Sequence, residues 1–193
     1  MSRNEPMEWD VSPERMAQLR SSIAPVHCEV PLRQVLAEDF PRECADLPIA
    51  GGWGYAREDA IILLNAGGGA RGPRGDFVSL EYFLAEKIVH EELIVFRASA
   101  ERFSGIRLTL GRQMQVESGG RHYDALEFAV SCWADRHWDH LRTEWESNGF
   151  GRRPGFNISA HESKREAAQV RYERTFWFDI TDVMGEGAPR GRS

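Results

Sequence analysis

Two residue types are scarce in this 193-residue chain. Lysine occurs only as Lys87 and Lys164 among 24 basic residues, and cysteine only as Cys28, Cys44 and Cys132. Three cysteines are an odd number, and no two stand in CxxC spacing, so no disulfide framework or CxxC motif is legible. Cys132 lies on the apolar phase of a strand pattern and is expected as a buried thiol. Long apolar runs are missing as well. None approaches the ~18–20 residues that span a bilayer, and Met1 to Asp10 has no hydrophobic core of a signal peptide. A reducing cytoplasm is the expected setting, with no membrane partner.

The near-absence of lysine leaves 22 arginines, which codon bias in a high-GC bacterial genome accounts for. The physical consequence is independent of the cause, because arginine offers planar bidentate contacts that lysine cannot. The net charge of −6 argues against general nucleic-acid binding. What is present is the stuff of a folded core: 41% hydrophobic residues, with six Trp and ten Phe. At this length a single domain over residues 12–184 is expected, between a loose tail at 1–11 and a disordered one at 185–193.

The stretch Ile106 to Trp133 reads as a β-hairpin. Ile106, Leu108, Leu110, Met114 and Val116 alternate with mostly polar residues, as do Leu126, Phe128, Val130 and Cys132. A two-residue Gly119-Gly120 loop would pair even with odd positions and split the apolar set across two faces. A three-residue Ser118-Gly119-Gly120 loop keeps it together, pairing Val116 with His122, Met114 with Asp124 and Leu110 with Phe128. That register places Arg112, His122 and Asp124 at the turn end of the core face. There they form either an acid–base site with an anion-binding arginine or a structural Arg112–Asp124 ion pair.

Elsewhere Ser12-Pro13 marks a helix start, Pro31 to Asp39 a short helix, and residues 56–64 a strand. Leu80, Phe83, Leu84 and Ile88 set a helix over 79–92, which Leu93 to Phe96 either continue or end. Ala134, Trp138, Leu141 and Trp145 form the core stripe of a helix over 134–147. Ser159-x-x-Glu162 resembles a capping box, and Val170 to Ile180 alternates as a strand at 170–181. These elements predict an α+β fold: a mainly antiparallel sheet with a central β-hairpin and helices packed on one face.

Three further groups carry possible chemistry. His137, His140 and Glu144 share one helix flank at i, i+3 and i+7, a spacing that can reach one divalent metal ion, with His122 and Asp124 upstream. The solvated-flank reading is the simpler one. Two Gly/Arg loops, Gly67 to Gly75 with Arg71 and Arg74, and Gly149 to Gly155, can cradle phosphate through backbone N–H groups. The first lacks the Gly-Lys-Ser/Thr ending of a P-loop. Trp53 and Tyr55, set among Gly51, Gly52 and Gly54, are either a recognition surface or a cap on the core. No complete catalytic constellation emerges, so the leading expectation is a non-enzymatic, cofactor-free protein whose partner is another protein, of inhibitor, adaptor or immunity type. A metal-dependent hydrolase and a phosphate or nucleotide binder are the alternatives.

Overall fold

A computed structural model describes residues 9–65 and 77–184 of the chain. Helix α1, Pro13–Ser21, begins as its residues require: Ser12 caps it by accepting from Arg15 N–H at 3.3 Å, and Pro13 fills the first turn. Helix α2, Leu32–Asp39, buries Leu32, Val35 and Leu36. Pro41 starts a further short helix, α3, Pro41–Cys44, instead of ending the helical region. Strand β1, Ile49–Gly51, was not legible in the sequence, and the expected strand at 56–64 is confined to β2, Ile61–Leu63, after a 3₁₀ turn at Arg57–Asp59.

Helix α4, Phe77–His90, buries Leu80, Phe83, Leu84 and Ile88 as the spacing predicts. Its continuation, Glu91–Val95, widens into one turn of π-helix. Strands β3, Phe103–Ser118, and β4, Arg121–Ala134, form the hairpin. Helix α5, Asp135–Ser147, follows at once, then helix α6, Ile158–Ala167, strand β5, Val170–Asp179, and helix α7, Thr181–Met184. The cap of α6 is Asn157, whose side chain accepts from Ala160 N–H at 2.9 Å; the helix starts before Ser159, so the expected capping box is not its opening.

The strands form one open sheet in the order β1-β2-β5-β4-β3. It is antiparallel except for one pair, and with its helices it makes an α+β fold. Ile49 faces Leu63 in the antiparallel β1–β2 pair, and Ile61 faces Phe178 in the parallel β2–β5 pair. Among the described residues, no helix is long and apolar enough to cross a membrane. Cys132 is fully buried, and burial pushes its thiol up to about 12.

The described residues group into two compact units. The first gathers 9–24, 90–108 and 129–172, and the second 25–65, 77–89, 109–128 and 173–184. In the first unit, Trp133, Leu141 and Ala168 form a buried cluster against which Trp9, Val11 and Trp138 pack. Residues 9–11 are therefore held, not part of a loose tail, because the indole of Trp9 gains more from covering apolar surface than from water. The expected tails at 1–8 and 185–193 lie outside the described residues. In the second unit α2 packs on α3 and β1, and Tyr82 meets Phe128 edge to face at 5.6 Å.

Candidate functional site

The hairpin turn corrects the expected register. Strand β3 runs to Ser118 and β4 begins at Arg121, leaving Gly119 and Gly120 as a two-residue turn with φ of 60° and 75°. Two positive φ values in succession are the type I′ geometry, whose twist matches that of the flanking strands. Even positions of β3 then share a face with odd positions of β4. Gln113 shows the same parity, donating from Nε2 to Asp124 Oδ2 at 3.0 Å. In β4, Asp124, Leu126, Phe128, Val130 and Cys132 are buried, whereas Ile106, Leu108, Leu110, Met114 and Val116 of β3 are only half-buried.

Arg112, His122 and Asp124 are therefore not one cluster. Arg112 is exposed and pairs with no carboxylate among the described residues. His122 serves through its backbone: its N–H donates to Thr181 Oγ1 at 2.9 Å, and its carbonyl accepts from Ile180 N–H at 2.9 Å. The partner of Asp124 is Glu81 of α4, a residue that sequence reading missed. Both side chains are fully buried. Burial, and then the Asp124 carboxylate beside it, pushes Glu81 up to about 9. At neutral pH Glu81 therefore holds a proton, because burial and the neighbouring carboxylate both penalise its charged form. The available signal was a charge next to Leu80 inside the apolar stripe of α4.

The aromatic pair in the Gly51–Tyr55 segment caps the core of the second unit. Trp53 is only 5% exposed and donates from Nε1 to the Val30 carbonyl at 3.3 Å. Tyr55 stacks on it with ring centroids 6.5 Å apart and accepts from Val26 N–H at 3.1 Å. Trp53 is thus no exposed recognition surface. Its indole needs a carbonyl partner because it is buried.

On α5 the expected metal flank does not assemble. His137 is 1% exposed and packs against Trp9 at 5.2 Å, and His140 lies 4.8 Å from the same ring. Glu144 turns instead to α6, accepting from Lys164 Nζ at 2.7 Å and lying 3.1 Å from His161 Nδ1. Lys164, and less strongly His161, hold the Glu144 carboxyl below its ordinary value. Among the described residues, no group of three or more His, Cys, Asp or Glu is placed to hold a metal ion.

The Gly149–Gly155 loop commits its amides to its own turns. Phe150 N–H donates to the Trp145 carbonyl, Arg152 N–H to Gly149 and Arg153 N–H to Asn148. An anion would find these donors taken. Gly151, at φ 79°, lies so close to Trp145 that a Cβ would stand 2.6 Å from the indole. The other loop, with Arg71 and Arg74, lies outside the described residues.

What α5 and α6 build together is an open cleft of about 230 Å³ in the first unit. Its walls are Trp138, Leu141 and Trp145 of α5 with His161 of α6, and its rim carries Arg142, Glu162 and Arg165. Sequence periodicity placed Trp138 and Trp145 in a closed core stripe, but both are only half-buried. Trp145 is braced by His161, stacked at 5.2 Å, and by Phe156 at 6.0 Å. Trp133 donates from Nε1 to the Arg165 carbonyl at 2.8 Å, while the Arg165 guanidinium lies over the Trp133 ring at 5.1 Å.

No family model, curated protein or solved structure matches the chain.

Proposed function

We propose that this is a non-enzymatic binding protein, and that the α5–α6 cleft receives an apolar side chain from an acidic segment of another protein. The observation that carries the reading is the state of Trp138 and Trp145: two indoles half-exposed in a concave site, one of them held by a histidine and a phenylalanine. Tryptophan is the residue type that concentrates binding energy at interfaces, because it offers a large area at little entropic cost. Phe150, 63% exposed on the loop that follows α5, and Ile158, 44% exposed at the start of α6, extend the uncovered apolar surface of these elements. On the rim Arg142 is paired with Asp139 at 3.0 Å, whereas Arg165 pairs with no carboxylate among the described residues and favours a partner segment with a carboxylate beside its anchor.

The test is selection of displayed peptides on the wild-type protein, followed by titration of the selected peptides against Trp138→Ala and Trp145→Ala. Peptides carrying a bulky apolar residue next to Asp or Glu are expected, and each variant should weaken them by about thirtyfold, the loss typical of an anchor residue. Selected peptides that bind both variants as tightly as wild type would remove the cleft from consideration.

A further inference from the structure

A second cavity, of about 210 Å³, lies in the first unit and has the opposite character. Four arginines from three separate stretches of chain line it, Arg15, Arg97, Arg102 and Arg136, against a single carboxylate, Glu101. Among the described residues Arg15, Arg97 and Arg102 form no ion pair. All three nitrogens of Arg97 donate to carbonyls, Nη1 to Glu101 O at 3.4 Å, and its guanidinium lies over the Phe103 ring at 4.9 Å. Its Nε donates to Glu92 O at 2.7 Å, and its Nη2 donates to Ser22 O at 2.7 Å. Among the described residues the one hydrogen bond of the Arg15 guanidinium goes to the amide oxygen of Gln18, at 2.5 Å, and its charge also acts on Asp10.

Two guanidinium donors, Arg15 Nε and Arg102 Nε, are buried without an acceptor. Guanidinium cannot shed its proton, so like charges gathered this way need a counter-charge from outside the group. A buried N–H without an acceptor is costly and is ordinarily satisfied. The nearby His137 registers the same field: burial lowers its proton affinity first, and the charges of Arg136 and Arg15 add to that effect against the opposing influence of Asp10.

The geometry points to an anion site in this cavity whose ligand is a phosphate group, either free or as the terminal group of a phosphomonoester. The Arg15 and Arg102 guanidinium groups, each with an Nε that lacks an acceptor, match a tetrahedral oxyanion with several acceptor oxygens better than a single carboxylate, while the carbonyl-bound Arg97 adds its positive charge. The site is independent of the α5–α6 cleft, with which it shares no lining residue.

The experiment is a thermal-shift and calorimetric titration of the full chain at constant ionic strength, with inorganic phosphate, adenosine monophosphate and sodium chloride as separate arms. Arg15→Gln and Arg102→Gln are run beside wild type. Phosphate is expected to raise the melting temperature in a saturable way, and each variant should weaken binding by at least about tenfold, the loss of one charge-assisted contact. Without phosphate the variants should melt no lower than wild type, because removing one of several like charges relieves repulsion. That readout separates a ligand-binding arginine from a structural one. Tighter binding of the nucleotide than of phosphate would assign the phosphomonoester, and equal binding the free anion. Three results would overturn the site: no saturable binding in either phosphate arm, a chloride shift equal to that of phosphate, or unchanged phosphate affinity in both variants.

Discussion

Glu81 and Asp124 bring two carboxyl groups together in one unit, and Arg15, Arg97 and Arg102 bring three guanidinium groups to one cavity in the other. Both arrangements oppose like charges, yet they are relieved differently. A carboxyl group can take a proton near neutral pH, so Glu81 sheds its charge beside Asp124 and the two close completely, with both side chains at 0% exposure. Arginine has no such exit, and its cluster stays open around a space of about 210 Å³. The chemistry of the ionisable group decides whether a like-charge cluster becomes core or pocket.

The largest test of this contrast is the pH dependence of stability. Glu81 has an ordinary value of 4.5 and a folded value of about 9. The folded state therefore binds more protons than the unfolded state between those limits. The stabilisation is complete below pH 4.5, declines as pH rises, and is exhausted above about pH 9. The slope reaches about 1.4 kcal/mol per pH unit for one proton. Glu81→Gln, neutral at every pH, should remove that slope from denaturant unfolding measured between pH 5 and 9. An unchanged slope would mean that Glu81 is ionised in the fold.

Glu81→Ala should cost about 3 kcal/mol at pH 7, because it leaves a buried Asp124 carboxylate with the Gln113 amide as its remaining partner. Equilibrium unfolding would show a loss below about 1 kcal/mol if Asp124 found other support. Arg102→Gln sharpens the comparison from the basic side. Without added anion its melting temperature should equal or slightly exceed that of wild type, the reverse of the acidic pair. The smallest effect belongs to the opposite-charge cluster of Glu144, Lys164 and His161. Glu144 lies below its ordinary value, so its contribution is present above pH 4.5 and is lost as pH falls through the folded value. With Lys164 43% exposed, Glu144→Gln should change stability by less than about 1 kcal/mol near neutral pH.

The elements were largely legible because each repeats a short-range pattern. The period of two revealed β3, β4 and β5, and the 3.6-residue period revealed α4 and α5. The hairpin register was not, and the reason is physical. It was inferred from the assumption that both arms bury the same apolar set. β3 ends the sheet, and its even residues are only half-buried, so burial constrained them weakly. The local preference of Gly119-Gly120 for a type I′ turn decided instead.

The sites were harder to read because their members are scattered. Arg97 and Arg102 stand near each other, but Arg15 and Arg136 come from distant stretches of chain, and nothing in the sequence joins the three stretches. Glu144 was visible as a candidate ligand, but its partners Lys164 and His161 come from the next helix. His137 shows the limit of a helical wheel most plainly. The pattern predicts a solvated flank, and Trp9, from the expected N-terminal tail, covers it.

The position of β3 has a consequence for the protein in a crowded solution. It is 16 residues long and, among the described residues, has a neighbouring strand on one side only. Such a border offers a ladder of peptide groups to any passing extended chain, the first step of sheet-to-sheet aggregation. Arg107, Arg112 and Glu117 stand exposed along it at intervals, and Gly111 interrupts the row of side chains between them. A chain that added itself here would have to bring charge against charge. Arg112, expected as part of a site, thus stands with Arg107 and Glu117 where charge opposes the growth of an open-ended sheet.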